Sequence, residues 1–172
     1  VYIVPTNRWY IERTVWLIAG VFLLTGTALA LWVHPYWAGL VILTGLASIG
    51  TGLTGFCAVG TVLKNLGLRG NLESPTAPPR VYLMQTDAWF LERRIYPIVG
   101  FNISLASVLS VVHSPWWLTF TGFVGIAMVW FAATGYCIMA NGLYWLGAEP
   151  RLAPLLRAAA PHCEARRASR AA

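Results

Sequence analysis

Residues 9–20 read WYIERTVWLIAG and residues 34–67 read HPYWAGLVILTGLASIGTGLTGFCAVGTVLKNLG. The chain then returns to WFLERRIYPIVG at 89–100 and HSPWWLTFTGFVGIAMVWFAATGYCIMANGLYWLG at 113–147. At a constant offset of 80, without a gap, 16 of the 59 positions from Trp9 to Gly67 are identical. Among them are Trp9/Trp89, Glu12/Glu92, Arg13/Arg93, Gly20/Gly100, Pro35/Pro115, Gly45/Gly125, Gly55/Gly135 and Cys57/Cys137. Val1/Val81, Tyr2/Tyr82 and Thr6/Thr86 carry the match upstream. A period of this kind decides the architecture before any single residue does.

Charge divides what the repeat leaves open. Only 10% of the 172 residues are charged, 58% are hydrophobic, and the mean hydropathy is +0.63. A soluble domain carries about 25% charged residues, so a water-soluble fold is excluded. Residues 14–63 contain no Asp, Glu, Lys or Arg, and neither do residues 95–148. A bilayer-spanning helix needs about 20 apolar residues, so each run holds two spans and a turn. The expectation is an all-α integral membrane protein with four transmembrane helices, arranged as two tandem parallel two-helix hairpin repeats.

The domains follow directly. Residues 1–67 form the first membrane repeat, 68–80 a polar Pro-rich linker, 81–147 the second repeat and 148–172 a basic Ala/Arg-rich tail. Residues 1–13 read as an interfacial segment, with Trp9 and Tyr10 at headgroup depth and Arg8 and Glu12 spaced for an i, i+4 pair. Helix one is expected over residues 14–33 and helix two over 36–63. Helix three is expected over 95–112, with helix four repeating helix two. His34-Pro35 and His113-Ser114-Pro115 make the turns, because proline suits the first turn of a following helix. No cleavable signal is evident before the first span.

Small residues mark the expected packing faces. Gly45 and Gly52 on helix two, with Gly125 and Ala132 on helix four, are spaced for close backbone approach, and these two helices are expected to touch through them. Helix three carries Asn102 where helix one has Phe22, followed by Ser104, Ser107 and Ser110. This polar ridge fits interhelical hydrogen bonding, or contact with a ligand or a partner chain.

Chemistry has few candidates. Cys57 and Cys137 recur in both repeats, and each follows a Thr by three positions (Thr54, Thr134) and precedes Thr61 or Asn141 by four. A continuous helix from Trp37 would carry Cys57 roughly 30 Å, to the inner rim. Reactivity would need a cation beside the thiol, with Lys64, Arg13, Arg93 or Arg94 near in depth. Packing as a small hydrophobe is the competing reading, and a metal role a third. His34 and His113 sit in turns, a poor place for haem ligation. His162-Cys163 in the tail supplies only two ligands. No Cys spacing matches a zinc or disulfide framework, and no Ser/His/Asp set, paired carboxylates or phosphate loop occurs. Neither a metal nor a cofactor is expected.

All twelve Lys and Arg lie in residues 1–13, the 64–94 link or the tail, and neither turn has any. The positive-inside rule puts both termini and the link on the cytoplasmic side, with His34 and His113 outside. The net charge of +6, held at the membrane surface, favours anionic lipid headgroups over nucleic acid.

An ER pair before a glycine-containing span, a turn with Pro and Trp, and then TGFC with a following LKxLG resemble the YgaP-like inner-membrane domain, a two-helix module found alone or as the anchor of some rhodanese proteins. In the first repeat the match runs through Glu12, Arg13, Pro35, Trp37, Gly45, Thr54, Gly55, Phe56, Cys57, Lys64 and Gly67. In the second it runs through Glu92, Arg93, Pro115, Trp117, Gly125, Thr134, Gly135, Tyr136, Cys137 and Gly147. Ala58 and Ile138 stand where the family often has proline after the cysteine, and the chain carries no rhodanese domain. The resemblance implies a module that pairs in a bacterial-type inner membrane, here fused into a covalent pseudo-dimer, without sulfurtransferase activity.

The function expected is that of a non-enzymatic accessory subunit that binds other integral membrane subunits of a larger complex. The alternatives are a membrane thiol or persulfide carrier using Cys57 and Cys137, and a small transporter of a sulfur species or soft metal. Topology is directly testable. In a background lacking the native cysteines, His34→Cys and His113→Cys should react with a membrane-impermeant maleimide from outside intact cells. Pro75→Cys should not, and its outside labelling would overturn the four-span reading.

Overall fold

The computed structural model describes residues 1–154, and the expectations placed on residues 155–172, including His162-Cys163, lie outside them. The described residues are helical apart from turns and isolated bridges. Four helices are long and apolar enough to cross a membrane: α1 (Ile11–Trp32), α2 (Ala38–Thr54, continuing a 3-10 turn at Pro35–Trp37), α4 (Leu91–Val112) and α5 (Trp117–Thr134). Two short helices, α3 (Ala58–Asn65) and α6 (Ile138–Trp145), follow the second and fourth.

The first and third long helices begin three to four residues before the expected starts at 14 and 95. Glu12 and Arg13 therefore lie inside the first turn of α1, as do Glu92 and Arg93 in α4. A carboxylate there is favoured by the partial positive charge of a helix N-terminus. Both helices are stopped by the turns. His34 is extended ahead of Pro35, and its Nδ1 accepts from Tyr36 N at 3.3 Å.

Helix two is not the single helix over 36–63 that uncharged sequence suggests. Gly55 adopts the left-handed conformation (φ 77°) and ends α2, Cys57 is extended, and α3 starts anew at Ala58. Gly135 (φ 73°) and Cys137 repeat the break between α5 and α6. Glycine is required for two reasons. An L side chain is strained at that φ, and a Cβ at Gly135 would meet Val4 O, as one at Gly55 would meet Met84 O.

The long helices pack across the two halves of the chain. α2 lies most extensively against α4 and α1 against α5, while the sequential pairs α1/α2 and α4/α5 touch less. The close approaches are made by glycines. A Cβ at Gly100 would run into Gly45 O, and one at Gly20 would lie 3.0 Å from Gly125 O. This corrects the expected contact between the second and fourth long helices. Gly45 and Gly52 meet Ser104 and Pro97 of α4, whereas Gly125 meets Leu23 and Leu24 of α1. Ala132, fully buried, lies on α5 where Arg13 of α1 bonds its carbonyl. Each glycine serves the other half's first helix instead of a glycine on the matching helix.

The core runs along these contacts and is richest where the helix ends meet the segments outside the spans. Ile11, Leu72, Met84, Leu91 and Val4 are almost fully buried there. Leu152 and Ala153, assigned by sequence to the tail, are buried with them.

Gly52→Leu should destabilise the protein by about 1–3 kcal/mol, the usual cost of overpacking, because a Cβ added there would already meet Pro97 and Tyr96. Gly50→Leu on the same helix, where nothing lies within 4 Å, should be near neutral. Denaturation of both variants in mild detergent checks the difference, and equal effects would contradict the packing.

Candidate functional site

The polar side chains gather at one rim, where the first turns of α1 and α4 meet the last turns of α2 and α5. Arg13 donates from Nε to Ala132 O at 2.5 Å and from Nη1 to Thr6 O and Arg8 O at 2.7 and 3.0 Å. Arg93 donates from Nε to Gly52 O at 3.0 Å, from Nη1 to Thr86 O and Ala88 O, and from Nη2 to Leu53 O at 3.2 Å. The last carbonyls of a helix lack partners within it and carry partial negative charge. Each guanidinium thus satisfies the end of a helix in the opposite half. Each also lies over a tryptophan, Arg13 over Trp9 at 4.0 Å and Arg93 over Trp89 at 4.2 Å.

The neighbouring carboxylates are buried just as deeply. Glu12 Oε1 accepts from Leu72 N (2.7 Å), Asn71 N (2.8 Å) and the Tyr82 hydroxyl (2.9 Å). Glu92 accepts from Leu152 N (2.8 Å), Arg151 N and the Tyr2 hydroxyl (2.9 Å). Tyr2 and Tyr82 are themselves 80 apart, so each tyrosine bonds the glutamate of the other half. The expected Arg8/Glu12 surface pair is not formed, because Glu12 is only 2% exposed and takes amide and hydroxyl donors instead. Residues 69–72 belong to this lock, as do 149–152. Arg69 O and Glu149 O accept from Ile11 N and Leu91 N. The link and the start of the tail are therefore structural parts of their repeats.

The residues proposed around the thiols have other duties. Cys57 caps α3, and its Sγ accepts from Gly60 N at 3.2 Å. Cys137 occupies the same position before α6, half-buried. Thr54 and Thr134 donate to Gly50 O and Trp130 O and accept from Phe56 N and Tyr136 N, closing the helix ends. Thr61 accepts from Tyr82 N at 3.1 Å. Asn141 brackets Tyr2, taking its N–H at 2.7 Å and donating to its carbonyl at 2.9 Å. Thr61 and Asn141 thus anchor the segment that begins the opposite half.

Among the described residues, no cation is bonded to either sulfur. Lys64 pairs with Glu73 and donates to Pro78 O and Val81 O, Arg13 and Arg93 hold helix ends, and Arg94 donates to Trp89 O. Burial pushes both thiols above their ordinary range, which lowers the thiolate fraction at neutral pH.

The serine ridge is turned into the protein. Ser107 and Ser110 are buried and donate to Ile103 O and Ser107 O. Ser104 faces Gly45 of α2, its hydroxyl buried and without a hydrogen-bond partner among the described residues. These three are therefore closed to a partner. Asn102 is exposed, its amide donating to Ile98 O at 2.8 Å. His34 and His113 are exposed turn residues, the latter accepting from Trp117 Nε1 at 3.3 Å.

The Glu-Arg lock is the arrangement that residue-by-residue reading missed. Its signal was present in the recurrence of Glu12-Arg13 and Tyr2 at 92–93 and 82. No family model, curated protein or solved structure matches this chain. Alkylation by iodoacetamide measures the thiol environment. Cys57 in the folded protein should react far more slowly at pH 7 than in the denatured chain, with its rate still rising above pH ~8.5. Fast reaction at neutral pH would reverse the assignment of Cys57 as a structural cap.

Proposed function

We propose that this chain is a multi-pass protein of a bacterial-type inner membrane, built as two tandem parallel two-helix hairpin repeats with both termini cytoplasmic. We further propose that it has no chemistry of its own and serves as an accessory subunit docked against other membrane subunits. The resemblance to the YgaP-like module supports the paired repeat. So does the use to which recurring residues are put, since Glu12/Glu92, Arg13/Arg93, Gly20/Gly100 and Gly45/Gly125 all make contacts between halves. Exposed Arg8, Arg69, Arg80 and Arg94 flank the spans and suit anionic headgroups.

One observation carries the subunit reading. Asn102 lies midway along α4 with its side chain exposed, where the equivalent position of α1 holds Phe22. An amide facing hydrocarbon is unfavourable, and intramembrane polar residues are ordinarily covered by another helix. The potentially reactive groups, by contrast, are occupied. Arg13, Arg93, Glu12 and Glu92 tie the halves together, and the buried Cys57 and half-buried Cys137, with no cation bonded to either among the described residues, weigh against a sulfur carrier or a soft-metal transporter.

Solubilisation of native membranes in mild detergent, followed by mass measurement of the intact particle, tests the reading. A particle containing chains other than this one is expected, and Asn102→Phe should release the 18.9 kDa chain from it. Recovery of only the free chain or its homodimers in several mild detergents would overturn the subunit reading and favour the thiol carrier.

A further inference from the structure

Between α1 and α2 lies a cavity of about 210 Å³, lined on α1 by Val15, Ala19 and Phe22, on α2 by Leu40, Ser48 and Thr51, and floored by Cys57 and Tyr96. The cavity belongs to the first half through its composition. Thr51, Ser48, Leu40, Leu43, Ala19 and Val59 line it, and 80 positions later stand Phe131, Met128, Phe120, Phe123, Val99 and Met139. Every one of these six replacements is larger, and of the lining residues on α1, α2 and α3 only Phe22 gives way to a smaller one, Asn102. The second half uses the added volume. Phe131 packs edge-on against Trp16 with ring centroids 6.1 Å apart, and Met128 is 5% exposed.

The lining decides what the space accepts. The Thr44 and Thr51 hydroxyls already donate to Leu40 O and Ala47 O at 2.9 Å, and Cys57 Sγ takes the Gly60 amide. A buried water needs two to four polar partners, whereas an apolar cavity of about 150 Å³ stays dry and admits benzene. The space therefore suits hydrocarbon. Its position names the source. Leu40 to Thr51 spans roughly 16 Å of helix, about half of a ~30 Å hydrocarbon core. The Thr51 and Cys57 end lies at the rim that carries α3. Phe22 and Leu43, 46% and 63% exposed, stand at the mouth between the helices.

We infer that the first half holds one phospholipid acyl chain, from the leaflet on the α3 side, in a groove that the second half fills with its own side chains. The inference does not depend on the subunit reading, because it concerns the purified chain in lipid alone.

The test is photo-crosslinking of the purified protein in phosphatidylcholine vesicles doped with a phospholipid bearing a diazirine on its acyl chain. Peptide mass mapping should place several-fold more label on residues 15–22 and 40–51 than on the equivalent residues 95–102 and 120–131. Thr51→Phe should reduce the first-half label to the second-half level, and Ser48→Met provides a milder filling should that variant fail to fold. Equal labelling of the two halves in the parent would overturn the inference. So would undiminished first-half label in a folded Thr51→Phe or Ser48→Met protein.

Discussion

Each half of this protein is held by two charged side chains that act on the other half. A buried carboxylate or guanidinium is tolerated only when most of its hydrogen-bonding capacity is met, since desolvation costs several kcal/mol per ion. Arg13 and Arg93 meet theirs with the carbonyls that end α5 and α2 and with backbone of their own entry segments. Glu92, and Glu12 through Oε1, take amides of their own half and a tyrosine hydroxyl of the other, while the buried Oε2 of Glu12 has no partner among the described residues. Hydrogen bonds to charged groups are worth about 1.5–3 kcal/mol each, and those at the rim are strengthened where water is scarce.

Much of the bundle follows from that constraint. An arginine in the first turn of α1 can reach the last turn of α5 only if the two helices run side by side, and Arg93 imposes the same on α4 and α2. Close approach along those pairs needs small residues, which Gly20, Gly45, Gly100 and Gly125 supply. The entry segments then cross over, Val4 N donating to Gly135 O and Met84 N to Gly55 O. Those bonds sit at the left-handed glycines that end α2 and α5. The break in each second helix is thus part of the lock, and the cysteines that follow cap the short helices.

The halves share their lock but differ in how they meet lipid. α4 carries an exposed Asn102, and α1 has Phe22 at the same place. The groove between α1 and α2 has Ser48 and Thr51 in its lining where the second half carries Met128 and Phe131. Positions that join the halves are free to stay alike because they face the same neighbours in each. Positions facing outward have no such common neighbour.

Composition alone was enough for the coarse outcome of four long apolar helices, because a backbone in hydrocarbon must satisfy its own hydrogen bonds and uncharged runs of that length leave helices as the solution. The turns at Pro35 and Pro115 were equally local, since proline forbids the helix from continuing. Local pattern failed where partners are distant in sequence. Gly55 sits in a run that reads as continuous helix, and its left-handed turn is fixed by Met84 O, nearly thirty residues away. Glu12 resembles a surface acid until Leu72 and Tyr82 are brought onto it. Thr61 and Asn141 were read as neighbours of a thiol, and folding gave them to the backbone of the opposite half. Ser104, Ser107 and Ser110 were equally suited by spacing to a partner or to the interior. Only the packing of α4 in the bundle buried their hydroxyls, that of Ser104 against Gly45 of α2, because side-chain spacing fixes which residues share a helix face but not which neighbour that face meets.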